Sequence, residues 1–227
     1  MHIYTHDNVK FFPSVTTITG YFKDLEAFES LMNWSNFLGY RHIKYSEALN
    51  KKANFGTAIH KSIECILNEK EIPNMNDSLS GFDDLVNYRS TMAMFDNFMK
   101  KMNVSLKDTI FSEETMLDES LGYAGTADWV LRLNNETVLI DFKTSTKVHE
   151  SMGLQLSAYR ELLKTCKNIS IDTSYILLLN QNKWHLVEHN NDLLDKCYEK
   201  FCMYHELFNL YVPDCKSVAD TNTIIRI

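Results

Sequence analysis

The sequence predicts an α/β fold: a central mixed β-sheet flanked by helices, with a helical region at its N-terminal side. Three observations predict it. Helical spacing of apolar residues dominates residues 24–102. Three strand-like segments then follow one another between 109 and 144. A helix, two strands and a last helix complete the order, which suits a sheet covered by helices. Composition agrees, since the 227 residues are 44% hydrophobic and 23% charged, as in an ordinary globular protein. That length fits one large domain, or one domain with an appended subdomain.

Along the chain, residues 1–22 read as irregular or short β structure, with Pro13-Ser14-Val15-Thr16-Thr17-Ile18 the most strand-like piece. Residues 24–38 and 42–51 read as helices, and a third helix runs from near Ala53 to about Asn68, with Ile59, Ile63 and Ile66 on its apolar side. A connection from Ile72 to Ser80 follows. Residues 82–102 form a strong helical pattern in which Leu85, Met92, Phe95, Met99 and Met102 make a core-facing stripe. Residues 109–117, 123–133 and 136–144 are strands. Ser151–Lys164 is a helix, Thr173–Asn180 and Trp184–Glu188 are strands, and Asn191–Leu210 is an amphipathic helix.

The middle hairpin is the most informative part. Asn134-Asn135 separates its two strands, and Asn tolerates the positive φ of a tight turn. Closing the hairpin there pairs Leu133 with Glu136, Val130 with Leu139, Asp128 with Asp141, and Thr126 with Lys143; a four-residue loop keeps the same register. Alternation then puts Asp128, Asp141 and Lys143 on one face. Like charges directly opposite each other destabilise a sheet, so the arrangement makes sense around a divalent cation. Hard oxygen donors suit Mg²⁺ or Mn²⁺. Lys143 either pairs with Asp141 or aligns a water and offsets charge developing on a phosphate.

Other residues fit the same centre. His60 and Glu64 lie four apart on one helix face; His60 would complete a mixed N/O site, and Glu64 joins the site or orients His60. Gly56 and Ala58 would let that helix approach another backbone closely. Gln155 and Tyr159 repeat the four-residue spacing. Glu113 and Glu114 point to opposite faces of their strand, and the local spacing favours Glu113 as the one facing the aspartates.

Composition excludes several classes. No apolar run approaches a membrane span, and no basic start with an apolar stretch marks a secretory leader. Five irregularly spaced cysteines, Cys65, Cys166, Cys197, Cys202 and Cys215, fit reduced thiols in a cytoplasmic compartment. The net charge of −7 counts against bulk attraction to nucleic acid but leaves room for a local basic groove. Lys44, Lys51, Lys52 and Lys61 cluster in the first third.

Taken together, Gly56-Thr57-Ala58-Ile59-His60 with Glu64, Gly125-Thr126-Ala127-Asp128, Asp141-Phe142-Lys143-Thr144-Ser145, and Gln155-Leu156-Ser157-Ala158-Tyr159 resemble the PD-(D/E)XK nuclease superfamily. The pattern is similar to its RecB-like exonuclease branch, which includes phage exonucleases and the mitochondrial genome maintenance exonuclease. The motifs span roughly residues 53–160 and stand in the expected order, and the opening around Pro13–Ile18 and Trp34 is similar as well. The departure is Ala127, where the superfamily name has Pro.

The resemblance implies a restriction-endonuclease-like core over 53–227, with 1–52 as a helical region packed on it. It implies a Mg²⁺- or Mn²⁺-dependent DNA exonuclease of replication, recombination or repair. His60, Asp128, Asp141 and the Phe142 carbonyl would bind the cation, and Lys143 would support the nucleophilic water. Gln155 and Tyr159, with Lys61, Thr144 and Ser145, would contact the strand. Tyr21, Trp34 and Tyr40 are either aromatic grips for a single strand or core, with Trp34 assigned to the core. No iron–sulfur cluster is expected, because the late cysteines lack tight spacing. The rival readings are a structure-selective endonuclease or junction resolvase, a catalytically silent DNA-binding recombination partner, and a structural α/β domain.

Overall fold

The computed structural model describes residues 2–22, 25–75, 79, 81–180, 183–215 and 224–227. Its main sheet has five strands in the order β3-β4-β5-β6-β7: β3 (Thr109–Asp118), β4 (Tyr123–Leu133), β5 (Glu136–Lys143), β6 (Thr173–Asn180) and β7 (Lys183–His189). All neighbours are antiparallel except β5 and β6, which run parallel. A parallel pair needs a long crossover, and helix α5 (Glu150–Lys167) supplies it. The expected mixed sheet flanked by helices is therefore present.

One face of the sheet packs against α1 (Val15–Tyr21), α5 and α6 (Asn191–Tyr211), through residues such as Ile18, Val130, Leu139, Leu162 and Phe201. The other packs against α3 (Tyr45–Leu67) and α4 (Phe82–Lys101), through Ile59, Phe95, Phe98, Trp129, Ile140 and Phe142. The methionine-bearing stripe of α4 is core, as expected: Phe95 is buried, and Met92, Met99 and Met102 pack beside it.

The N-terminal third differs from expectation in two places. Of the strand-like piece Pro13–Ile18 only Pro13 lies in a strand, β2 (Phe12–Pro13); Val15 begins a helix. The cause is capping. Ser14 keeps extended backbone angles and its Oγ accepts the amide of Thr17 at 2.9 Å, satisfying a donor that the first turn leaves open. Val15 and Ile18, three apart, then face the core. Second, the two helices expected over 42–51 and from Ala53 are one continuous helix, α3, of 23 residues. Nothing between Asn50 and Ala53 breaks a helix, since no Pro or Gly stands there. Of the connection expected from Ile72, residues 76–78 and 80 lie outside the described residues.

The short β structure expected within residues 1–22 is present as β1 (Ile3–Thr5) and β2, but its assembly with a strand at 224–226 into a second, small sheet was not foreseen. The order of that sheet is β2-β1-β8, with β1 antiparallel to β2 and parallel to β8 (Ile224–Arg226). Strands of two or three residues carry too little pattern to be read from sequence.

Candidate active site

The β4–β5 hairpin places the acids. Asn134 and Asn135 both have positive φ, 52° and 69°, as a tight two-residue hairpin turn demands. The register is the expected one from Leu133↔Glu136 to Trp129↔Ile140. There the ladder stops, one step short of the expected Asp128–Asp141 and Thr126–Lys143 pairs. The Asp128 carboxylate takes over: its Oδ2 accepts the Phe142 amide at 2.8 Å. A side chain thus fills the place of a ladder hydrogen bond, and the two strands part around it.

The alternation of β4 also slips at this point. Tyr123 and Ala127 belong to the core on the α5 side, whereas Trp129, Leu131 and Leu133 belong to the core on the α3–α4 side. On the neighbouring strand Glu113 has a left-handed backbone, with φ 52°. Such irregularities re-aim side chains. Here they bring Glu113 and Asp128 towards His60 on α3, whose Nδ1 lies 3.6 Å from Glu113 Oε1 and 3.5 Å from Asp128 Oδ2. The three offer ligand atoms within 4.8 Å of one another. Glu114 points elsewhere and pairs with Lys167.

Asp141 is fully buried, and its Oδ2 lies 2.5 Å from the Lys143 ammonium. Its Oδ1 is buried and has no hydrogen-bond partner among the described residues. Such an oxygen is costly unless something else engages it. Asp141 is not one of the three residues whose ligand atoms lie within 4.8 Å of one another, but Asp128 and His60 are near enough to act on its charge, and a buried open carboxylate oxygen there fits a hard divalent cation.

The charges are strongly interdependent. Burial opposes the His60 imidazolium, yet the Asp128 and Glu113 carboxylates outweigh it and raise His60 to about 10. Burial would push Asp128 up, but His60, Lys143 and the Phe142 amide hold it below the usual carboxylate range. For Asp141 burial prevails over Lys143, and its carboxyl is raised to about 6. Glu113 is also raised, by burial first. Burial works against the Lys143 ammonium, but the Asp141 and Asp128 carboxylates hold its pKa above the ordinary lysine value.

Helix α5 forms the wall opposite α3. Gln155 Nε2 donates to Tyr159 Oη at 2.9 Å, and both side chains are buried. Burial, then Asp141 and Asp128, push the Tyr159 phenol far up, so it stays protonated. Its ring lies over Gly125. A Cβ at Gly125 would stand 2.5 Å from Tyr159 Cε1 and 3.0 Å from Cδ1, which no real contact allows. Gly125→Ala is therefore expected to cost about 1–3 kcal/mol, read as a lower urea midpoint, and to displace Tyr159. Gly56 is less constrained than its motif suggests: a Cβ there would meet only Thr144 Oγ1, at 3.8 Å.

Other expected residues are placed less centrally. Glu64 binds Lys61 at 2.6 Å instead of His60, so these two satisfy each other at the rim. Thr144 faces α3 at Gly56, and its carbonyl accepts Asn180 Nδ2 at 2.6 Å. Ser145 Oγ turns back to the Lys147 carbonyl. Trp34, assigned to the core, is instead half-exposed, and Tyr21 and Tyr40 are exposed.

Sequence reasoning missed Tyr4. It is buried, and its hydroxyl lies 3.4 Å from Thr126 Oγ1, which in turn lies 3.0 Å from Thr115 Oγ1. Burial raises the Tyr4 phenol, and Glu113 adds to that. This row of hydroxyls borders the acids. No spacing rule links residue 4 to a motif at 125–128, because only the small sheet brings them together.

No protein-family model matches this chain, and no curated protein matches it. Among solved structures it is similar to a protein from Eubacterium rectale described as a "Putative exonuclease", with a TM-score of 0.47 and 10% identity over 73% of this chain and 72% of that one. It is also similar to SSO0001, with a TM-score of 0.32 and 15% identity over 87% of this chain and 97% of that one. Likenesses this distant transfer neither family nor activity. No helix among the described residues is long and apolar enough to cross a membrane.

Proposed function

We propose that this protein is a Mg²⁺- or Mn²⁺-dependent DNA exonuclease of the PD-(D/E)XK type, acting at single-stranded or frayed ends in replication, recombination or repair. The observation that carries the reading is the parted hairpin. Asp128 substitutes for the ladder at Phe142, next to buried Asp141 with its open oxygen and to Lys143. A purely structural domain gains nothing from concentrating such groups inside a sheet.

His60, Asp128, Asp141 and the Phe142 carbonyl would hold the cation, with Glu113 as a further carboxylate within reach. When bound, it supplies Lewis-acid polarisation of the scissile phosphate and lowers the pKa of a bound water. The remaining work falls to side chains. Lys143, kept charged by Asp141, orients the attacking water and offsets the charge that grows on the phosphate oxygens. Tyr159, kept protonated and held by Gln155, presents a hydroxyl to the strand. Thr144, at the end of β5, borders the same opening.

Lys143→Met is expected to lower kcat by roughly 10²-fold with a small change in KM. The assay is cleavage of end-labelled linear DNA with Mg²⁺ or Mn²⁺, beside a covalently closed circle. An exonuclease leaves the circle intact; cutting of the circle would favour the endonuclease alternative. Full activity in the Lys143 variant would remove that residue from the mechanism.

A further inference from the structure

Helix α2 (Leu25–Tyr40) and the first half of α3 form a helical hairpin with little core of its own. Among the described side chains of α2 only Leu38 is buried, while Phe28, Met32, Phe37 and Tyr40 are exposed. Cations stand over its rings. Lys52 Nζ lies 4.2 Å from the centre of Trp34, and the Arg41 guanidinium 4.7 Å from that of Phe37. Trp34 also meets Tyr45 edge-on at 5.3 Å. Between Tyr40 and Gly56 the chain carries Arg41, Lys44, Lys51 and Lys52 against the single acid Glu47, within a protein of net charge −7. Lys44 and Lys51 have carboxylate partners, Glu47 and Asp84. Among the described residues, Arg41 and Lys52 face rings rather than carboxylates.

The position of this patch matters as much as its content. Lys52, Gly56 and His60 are four and eight residues apart on one continuous helix, so they follow one another along one side of α3. Their Cα atoms span about 12 Å. The middle position has no side chain and faces Thr144 Oγ1, at the end of the strand that carries Asp141 and Lys143. A row therefore leads from a ring capped by an ammonium, past a gap, to the site.

We propose that this row is the track of a single-stranded DNA end. Lys52 takes a backbone phosphate, the Trp34 face it uncovers stacks on a base, and the strand passes Gly56 on its way to His60. A positive stripe interleaved with aromatic faces is the chemistry that holds unpaired nucleotides without regard to sequence. A duplex offers no free base face to Trp34. The assignment rests on the nuclease reading for its destination, not for the binding itself.

The test uses the full chain and a fluorescein-labelled oligo(dT) of about 20 nucleotides in buffer containing EDTA, so that affinity is read without cleavage. Trp34→Ala and Lys52→Ala are each expected to weaken binding about ten-fold or more. Lys52→Ala should also flatten the dependence of log affinity on log salt by about 0.7. Lys101→Ala, at the C-terminal end of α4, should change neither. Oligo(dT) should quench tryptophan fluorescence in the unaltered chain, which has three tryptophans, and the quenching should be lost in Trp34→Phe, which keeps a ring in place. Full-affinity binding by either track variant, absence of quenching, or an equal loss in Lys101→Ala overturns the track. The two readings separate cleanly. An unaltered chain that cuts no DNA with Mg²⁺ or Mn²⁺ defeats the nuclease but leaves the track standing, whereas track variants that bind normally defeat only the track.

Discussion

Asp141→Ala is expected to reduce metal-dependent DNA cleavage by about 10³-fold or more, because several kcal/mol of transition-state stabilisation would pass through the cation it is proposed to hold. The reason lies in its placement. Asp141 is fully buried, its Oδ1 has no hydrogen-bond partner among the described residues, and its other oxygen touches Lys143. Removal would therefore cost a proposed ligand and also release the ammonium from the carboxylate it contacts. Calorimetric titration with Mn²⁺ should show weakened uptake, and single-turnover cleavage should show the loss in the chemical step. Near-normal cleavage by this variant would end the assignment of the active site to Asp141 and its neighbours.

In EDTA the protein should lose stability as pH rises from about 4 to 7. Asp141 is the principal cause: burial raises its carboxyl from 3.8 to about 6 in the folded state. A group raised on folding stabilises fully below its unfolded pKa and gives that stability up as pH rises through the folded value. For Asp141 the window is 3.8 to about 6, and its size is about 3 kcal/mol. His60 acts in the same direction over a later window, from 6.5 to about 10. Urea unfolding at a series of pH values should show the fall, and Asp141→Asn should flatten its acidic part. A bound cation requires both groups deprotonated. Saturating Mn²⁺ should therefore reverse the trend, with protons released on binding and affinity climbing with pH. A metal-free pH profile identical in Asp141→Asn and the parent would refute the assignment.

Much of the fold could be read from residue patterns where those patterns are long. The bounds of β4 and β6 match expectation, and the Asn134-Asn135 turn set the register of the hairpin correctly. The opening did not read correctly, because a β-branched run resembles a strand until Ser14 caps it as a helix. The site was legible as a set of residue types on hairpin and helix faces. Its finer arrangement was not, since it depends on a side chain replacing a ladder bond at Phe142 and on a slip in alternation at Asp128. Neither leaves a periodic trace. Tyr4 was invisible for a different cause: its neighbours Thr126 and Glu113 are more than a hundred residues away.

Through β1, that last contact also joins the site to β8, far along the chain. Tyr4 reaches the acids from β1, and β1 is clasped on one flank by residues 224–226. A nascent chain still emerging from the ribosome has the hairpin and every proposed ligand long before it has this clasp. Removing residues 224–226 would leave the strand of Tyr4 paired with β2 alone, so the border of the centre is finished only once β8 has been made.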